Sequence, residues 1–587
     1  MQLLNKLEPE EREAVESYLK SVRYKQGELI AEKGSSRNGF FILDEGTIRI
    51  ESIHQAGQPD EWILKYLNAG STIGEFSLID DGPRSANYYA HTDVIVRHLS
   101  VEDFAALQAQ NPKVTSACFA VLSRHLVRLI RRISVESADF QATTTYPPEI
   151  EKMVSAGVTA QKSFESWTEE RVDALVREII KCFLEQAESL AEEEVSETGY
   201  GVAADKVTKL HFVCSEIARS FLGKKAFGVI RQDEAGGLIE IASPVGVVLG
   251  LVPVTNPVPT LLFKTIICIK SRNALIISSH RNALKVGNKA GELIRRILQK
   301  HGAPSVLVQW WKERTSRLTT SLLMRHKDVS FILATGGPRM VKAAYSSGTP
   351  ALGVGSGNAP VMICADADLR NTAQTVVSSK SFDNGVICGS ENNLVVASSS
   401  KDIFLRFLEK SGAAILTPEE IPLLTACIFD ETFQYVQKKI IGKSAENIAY
   451  LSGIKRDCKI RLLVVPLKND QIQEAYGREK LMPVLSLFTF EDENSGFELC
   501  KQLLLNEGRG HTAIIHTQNK KLAKRFGLAM PASRILVNTG GSLGCIGASS
   551  ALSPSMTLGC GTFQGNSTTD NVTYKHLLNI KRIAYPV

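Results

Sequence analysis

Cys388 lies in Ser381-Phe382-Asp383-Asn384-Gly385-Val386-Ile387-Cys388-Gly389-Ser390-Glu391, among glycines and small residues. A thiol so placed stands on exposed backbone with room for an acyl group, and neighbouring amides can meet a developing oxyanion. The plain alternative is a small core residue, the commonest use of a lone cysteine. Pro253-Val254-Thr255-Asn256-Pro257 interrupts an apolar run and puts an amide where a strand ends. Asn256 is there either an oxyanion donor or a turn-forming residue before proline. Thr335-Gly336-Gly337 follows a strand-like run and opens a helix, a natural seat for a phosphate. Gly353-Val354-Gly355-Ser356-Gly357-Asn358 is a glycine-rich turn of a common kind.

A second constellation lies far upstream, from Gly74-Glu75-Phe76 to Gly82-Pro83-Arg84-Ser85-Ala86. A glycine, a short helical turn and an arginine behind a Gly-Pro turn can surround one phosphate. Helix-start amides and the Ser85 hydroxyl donate, Arg84 offers a charged fork, and Glu75 can accept from a ribose hydroxyl. A β-turn with Arg84 paired to Asp80 or Asp81 is the structural alternative.

The elements that position these residues fall into two grammars. Over the first hundred residues Gly27, Gly34, Gly39, Gly46, Gly70 and Gly74 punctuate short β-rich stretches such as Gly39 to Ile42 and Thr47 to Ile50, which predicts a β-roll. A helix comes next over Pro112 to Ile133, with Leu122, Leu126, Leu129 and Ile133 on one seam and Arg124, Arg128, Arg131 and Arg132 largely off it. That seam packs on its own roll or on a second copy. Residues 141–148, ending in Thr-Thr-Thr-Tyr-Pro-Pro, read as a linker. Thr168 then caps a helix whose face is Val172, Leu175, Val176, Ile179, Ile180 and Phe183. From about residue 240, strand-like runs alternate with helices: Val245 to Val252, Ala274 to Ser278, Val329 to Ala334 and Pro360 to Cys364. That is the pattern of a doubly wound α/β sheet.

The 587 residues allow several domains, and 44% hydrophobic with 22% charged residues is ordinary globular composition. A net charge of +6 without a long basic run gives no reason to expect nucleic acid or an anionic membrane as partner. The most apolar stretch, Pro244 to Ile269, carries Pro253, Pro257, Pro259 and Lys264, so it reads as a strand, a loop and a helix rather than a membrane span. Eleven scattered cysteines form no CxxC pair, which argues against disulfides and structural metal and for a reducing, cytoplasmic setting.

Residues 5–140 resemble the cyclic-nucleotide-binding family, through the cassette Gly74 to Ala86, the glycine spacing before it and the helix after it. The resemblance implies that Gly74 and Glu75 hold the ribose and Arg84 and Ser85 the cyclic phosphate, with cyclic AMP as the default effector and adenine versus guanine left open. Some transcription factors carry DNA-reading helices directly after this module, whereas this chain continues into a much larger segment.

From Glu149 to the C-terminus the chain resembles the CoA-acylating branch of the aldehyde dehydrogenase superfamily, as found in the N-terminal half of bifunctional aldehyde-alcohol dehydrogenases. The matching motifs include Asp205-Lys206-Val207 with His211-Phe212, Pro244 to Pro257, Ser381 to Glu391, Gly510-His511-Thr512, Ala532 to Leu536 and Thr557-Leu558-Gly559-Cys560-Gly561. The resemblance implies a doubly wound cofactor domain (about 149–380), a catalytic domain (about 381–550) and an oligomerisation arm. It makes Cys388 the nucleophile, Asn256 the oxyanion donor and Glu479 the holder of the nicotinamide ribose. Val252, Pro253, Val254, Thr255, Pro257, Thr335, Gly336, Gly337, Gly355 and Gly561 fall where the dinucleotide lies. Ser279 and His280 fall at the adenosine ribose, where NAD and NADP both remain open. His511 is placed to deprotonate the CoA thiol, or else is a hydrogen-bonding loop histidine. Val354 stands where hydrolytic members carry a glutamate that activates water, and the acylating branch shares that loss.

The expected protein is therefore a homo-oligomeric, cyclic-nucleotide-regulated enzyme converting an aldehyde, CoA and NAD+ to acyl-CoA and NADH, acetaldehyde by default, without a metal. The competing readings are a nucleotide receptor on a non-catalytic scaffold, an unregulated enzyme with a degenerate nucleotide module, and a water-using enzyme that releases an acid.

Overall fold

The structure is a computed structural model and describes the chain apart from residues 1–3, 5–6, 33, 36–38, 53–61, 75–85, 124–145, 234–235, 431–432 and 587. Two compact units divide at residues 144 and 145.

In the first unit, alternation along one strand builds two cores at once. Phe40 and Ile42 of Phe40–Glu45 turn to one side, where Val15, Phe104, Leu107, Val114 and Cys118 gather. Phe41 and Leu43 turn to the other and pack with Ile48, Ile73, Val94 and Val96. Two antiparallel four-stranded sheets result. One runs Lys20–Tyr24, Val94–Leu99, Phe40–Glu45, Thr72–Ile73, and the other Leu29–Ala31, Asn87–Ala90, Thr47–Ser52, Trp62–Asn68. The six glycines that punctuate this stretch all have positive φ, from 76° to 93°. Gly39 has no alternative, since a Cβ there falls 1.9 Å from the Leu99 carbonyl oxygen. Residues 112–123 are helical. Leu122 is buried there, while the rest of the expected seam lies outside the described residues.

The second unit opens with Pro148 at the first position of the helix Pro148–Glu165. A fixed φ suits Pro148 to start a helix, so the last residue of the expected linker belongs to a helix, and residues 141–145 of that linker lie outside the described residues. Thr168 caps Glu169–Glu185 through its side chain, and all six expected face residues are buried.

Five parallel strands then form a sheet in the spatial order Val308–Trp310, Ala274–Ser279, Val247–Val252, Phe331–Thr335, Ala351–Val354. In chain order that is 3-2-1-4-5, so the winding reverses between Val247–Val252 and Phe331–Thr335. Doubly wound sheets bind ligands in the crevice beyond the carboxyl ends of the strands at this reversal. Buried Lys264 ties those ends together, its Nζ donating to the carbonyls of Leu251 at 2.5 Å and Leu333 at 2.7 Å.

Seven more parallel strands make a second sheet: Ala413–Ile415, Leu462–Pro466, Val484–Phe490, Glu391–Ala397, Ala359–Ile363, Gly510–His516, Ala532–Val537. Only residues 355–358 connect Ala351–Val354 of the first sheet to Ala359–Ile363 of the second. Carboxyl ends of one sheet therefore meet amino ends of the other. Gly228–Asp233, Leu238–Pro244 and Leu578–Ala584 form a separate antiparallel sheet. Among the described residues, no helix is long and apolar enough to cross a membrane.

Candidate active site

Cys388 stands on the bend immediately before strand Glu391–Ala397, partly exposed. His511 enters from the neighbouring strand Gly510–His516, with Nε2 3.2 Å from the Cys388 Sγ. On the far side of the ring, Nδ1 lies 2.9 Å from the Thr512 hydroxyl. With its proton on Nδ1 and donated to Thr512, His511 offers a free Nε2 lone pair to the thiol. Burial, and then the nearby Arg534 charge, hold the His511 imidazole well below its ordinary range, so it is neutral. Burial pushes the Cys388 thiol well above its ordinary value, with only Arg534 pulling it down. The resting pair is thus thiol and neutral imidazole, an arrangement in which the thiol proton can pass to Nε2.

The backbone around the thiol is tightly constrained. A Cβ on Gly357 would fall 1.7 Å from the Cys388 carbonyl oxygen, so the two chains pass in direct contact. Gly357 donates its N–H to Glu479 Oε1 at 3.0 Å. The Glu479 N–H in turn donates to Glu507 at 2.8 Å. Burial and the neighbouring Glu507 push Glu479 up to about 8. Beside Gly357, buried Asn358 donates to the carbonyls of Gly477 at 2.7 Å and Leu503 at 3.0 Å while Asn393 donates to its oxygen at 2.9 Å. This amide network fixes the short link between the sheets.

Three consecutive residues before the thiol, Asp383, Asn384 and Gly385, have φ of 49°, 52° and 71°. Left-handed backbone costs a non-glycine residue roughly 1–3 kcal/mol, and buried charges hold it here. Asp383 accepts from the Val202 N–H at 2.8 Å, pairs with Lys206 at 2.9 Å and pairs with Lys209. Lys206 also donates to the Thr255 carbonyl at 2.5 Å and pairs with Glu194 at 3.1 Å. Glu194 caps the helix Pro257–Lys270 by accepting from the Val258 N–H at 3.1 Å. Lys209 donates to the Asn256 side-chain oxygen. Asn256 is thus joined to the Cys388 bend through Lys209 and Asp383.

Val252, Pro253, Val254, Thr255 and Pro257 sit at the carboxyl end of strand Val247–Val252, on one side of the winding reversal. Thr335, Gly336 and Gly337 sit on the other, with Gly337 capping Pro338–Tyr345 and nothing within 4 Å of where its Cβ would be. The Thr335 hydroxyl is buried without a partner among the described residues. An unused donor beside an open helix start fits a dinucleotide phosphate. Gly355 faces Gln564, and Gly561 has φ 63° and donates to the Thr568 carbonyl at 2.8 Å. Ser279 ends the adjacent strand, His280 follows it, and neither is in the Cys388 network; His280 accepts from the Asn282 N–H at 3.2 Å. Val354 is buried at the end of its strand.

Of the nucleotide cassette, Gly74 comes directly after Thr72–Ile73 with φ 76°. Glu75, Arg84 and Ser85 lie outside the described residues. Sequence reasoning missed Gly357, Lys209, Asp383 and Arg534, whose importance is in contacts with residues distant along the chain.

The model of the aldehyde dehydrogenase family matches residues 136–546, and the chain belongs to that family. The cyclic nucleotide-binding domain model matches residues 21–111 ahead of it. More particularly, the chain is 38% identical over 441 residues to the bifunctional aldehyde-alcohol dehydrogenase of Escherichia coli, covering 74% of this chain and 49% of that protein. It spans about half the length of such bifunctional relatives. It is 35% identical over 437 residues to the acetylating succinate-semialdehyde dehydrogenase of Clostridium kluyveri, covering 74% of this chain and 95% of that one. Among solved structures, the acetylating aldehyde dehydrogenase of Geobacillus thermoglucosidasius superimposes with a TM-score of 0.73 at 38% identity, covering 75% of this chain and 96% of that one.

Proposed function

We propose that this chain is a CoA-acylating aldehyde dehydrogenase under cyclic-nucleotide control. The observation that carries the catalytic half is the 3.2 Å contact between Cys388 Sγ and a neutral His511, at the meeting of the two sheets. His511 takes the thiol proton as Cys388 attacks the aldehyde carbonyl. The resulting oxyanion is met by the Asn256 amide and the Cys388 N–H. Val252–Pro257, Thr335–Gly337 and Glu479 would hold NAD or NADP, which would supply the hydride acceptor when bound. Once His511 has given that first proton to solvent, the remaining thioester on Cys388 is attacked by the thiol of CoA, whose proton passes through His511 to the departing Cys388 sulfur, and acyl-CoA leaves. Each step is reversible.

Val354 favours a thiol over water as the second nucleophile, since a valine cannot act as base. The acetylating chemistry in the names of two relatives supports the same reading. The antiparallel sheet of Gly228–Asp233, Leu238–Pro244 and Leu578–Ala584, with Val229, Ile583 and Tyr585 exposed, supports a role as oligomerisation arm. Sedimentation of the purified chain tests that role.

Regulation rests on the domain in front of the enzyme. Coupling energies of about 1–3 kcal/mol alter activity roughly 5- to 150-fold. The test is NADH formation from acetaldehyde with and without CoA, and with and without cyclic AMP. CoA-dependent turnover that changes with cyclic AMP is the expected result. Turnover indifferent to CoA would overturn the acylating reading. Turnover indifferent to the nucleotide would overturn control by that ligand.

A further inference from the structure

Asn256 can serve an oxyanion only if its NH2 group, and not its carbonyl, faces the substrate. The loop that carries it, residues 253–256, is partly exposed and lies between a strand and a helix. The side chain could turn either way, and its own backbone does not decide the matter.

Lys209 decides it. The residue is on helix Ala203–Phe212 and is buried, and its Nζ is bonded both to the Asn256 side-chain oxygen and to Asp383 Oδ2. An ammonium has only donors, so whatever faces it must be an acceptor. The amide oxygen is therefore committed to Lys209. The amide nitrogen donates to no group among the described residues and, on a partly exposed loop, is left to donate elsewhere. We infer that Lys209, anchored by Asp383, is a positioning residue that holds the Asn256 amide in its donor orientation toward the substrate oxyanion.

The anchor matters as much as the contact. Asp383 is one of the left-handed residues of the bend that carries Cys388. One ammonium thus spans the oxyanion donor and the nucleophile's own turn. Lys206 meets the same carboxylate and the Thr255 carbonyl, one residue before Asn256, so the backbone of the loop is held separately from its side chain. This division of labour lets Lys209 be changed while Lys206 continues to pair with Asp383 and Glu194. A positive charge on the amide oxygen also polarises the N–H bonds and strengthens them as donors.

The inference rests on the proposed thiohemiacetal chemistry, and a double-mutant cycle between Lys209→Met and Asn256→Ala tests it separately. Asn256→Ala is expected to lower kcat about a hundred- to thousandfold. Lys209→Met is expected to lower kcat by about tenfold or more with little change in the aldehyde KM. Combined with Asn256→Ala, it should add less than about threefold, because the group it orients is already gone. Lys209→Gln keeps an N–H donor and should recover part of the loss. If the methionine variant does not fold, the glutamine variant carries the same cycle. Alkylation of Cys388 by iodoacetamide, which develops no oxyanion, should be unchanged in rate, whereas a disturbed bend would alter it. Multiplicative effects of the two substitutions, or an altered alkylation rate in Lys209→Met, would overturn the inference. CoA-independent turnover by the parent protein would overturn the acylating reading alone, since acid formation needs the same oxyanion.

Discussion

Gly357→Ala gives the sharpest test of how the two sheets place the thiol. Gly357 is not among the residues of positive φ, so its conformation suits alanine and only space excludes a side chain. The new Cβ would lie 1.7 Å from the Cys388 carbonyl oxygen, 2.6 Å from its carbon and 3.2 Å from its Cα. Real Cβ contacts essentially never fall under 3.0 Å, so the chains must part by about 1.3 Å at Cys388 itself. Neither chain yields freely. Asn358 is fixed by four buried hydrogen bonds, one of them from Asn392, and the Gly357 N–H is held by Glu479 at 3.0 Å. Misplacing reacting groups by about 1 Å can lower a rate about a hundredfold, and overpacking destabilises by about 1–3 kcal/mol. The expected variant is folded, melts a little earlier and has a kcat about two orders of magnitude down. The assay is NADH formation at saturating aldehyde and CoA, with iodoacetamide alkylation of Cys388 as a second readout. Wild-type kcat together with a wild-type alkylation rate would refute the claim that this crossing positions the thiol.

His511→Ala should lower both the first burst of NADH and steady-state turnover by about 10²–10⁴-fold, because Nε2 touches the Cys388 sulfur; a preserved burst would restrict the histidine to CoA. Burial holds the Cys388 thiol well above its ordinary value, so the thiolate fraction grows with pH and alkylation should quicken from about pH 6 to about pH 9. A plateau within that range would contradict the protonated resting thiol. Gly291→Ala places a Cβ 2.4 Å from the Trp310 ring, and denaturant melts should show a loss of about 1–3 kcal/mol despite a helix-propensity gain of up to about 1 kcal/mol. A neutral or stabilised variant would mean that the helix can retreat. Arg84→Ala should abolish the change in turnover on adding cyclic AMP, and a surviving response would place the phosphate elsewhere.

The parts of this molecule that were legible in the sequence are those whose cause lies within a few residues. The strand, loop and helix from Val247 to Lys270 arise from an apolar run broken by prolines. The Thr168 cap arises from one hydroxyl and two glutamates. The turns of the first unit arise from glycines that only left-handed backbone requires. Cys388 and Asn256 were legible in the same way, since each marks a peculiar local segment. The groups that hold them were not. Lys209 belongs to a helix that also carries Lys206 and His211, and a lysine there reads as part of a solvated face. Its partners are 47 residues away at Asn256 and 174 away at Asp383, and it has no solvent exposure that would make it merely a charge. Burial pulls it down to about 8 even though Asp383 opposes the shift. A charge kept under such conditions needs specific partners at once, and those partners exist only after the two sheets have met. Gly357 makes the same case without charge. Its neighbours in sequence allow any small residue, and the Cys388 carbonyl 31 residues later does not. Local spacing therefore marks the groups proposed to react, while the groups that hold them are set by which strand ends the topology brings together.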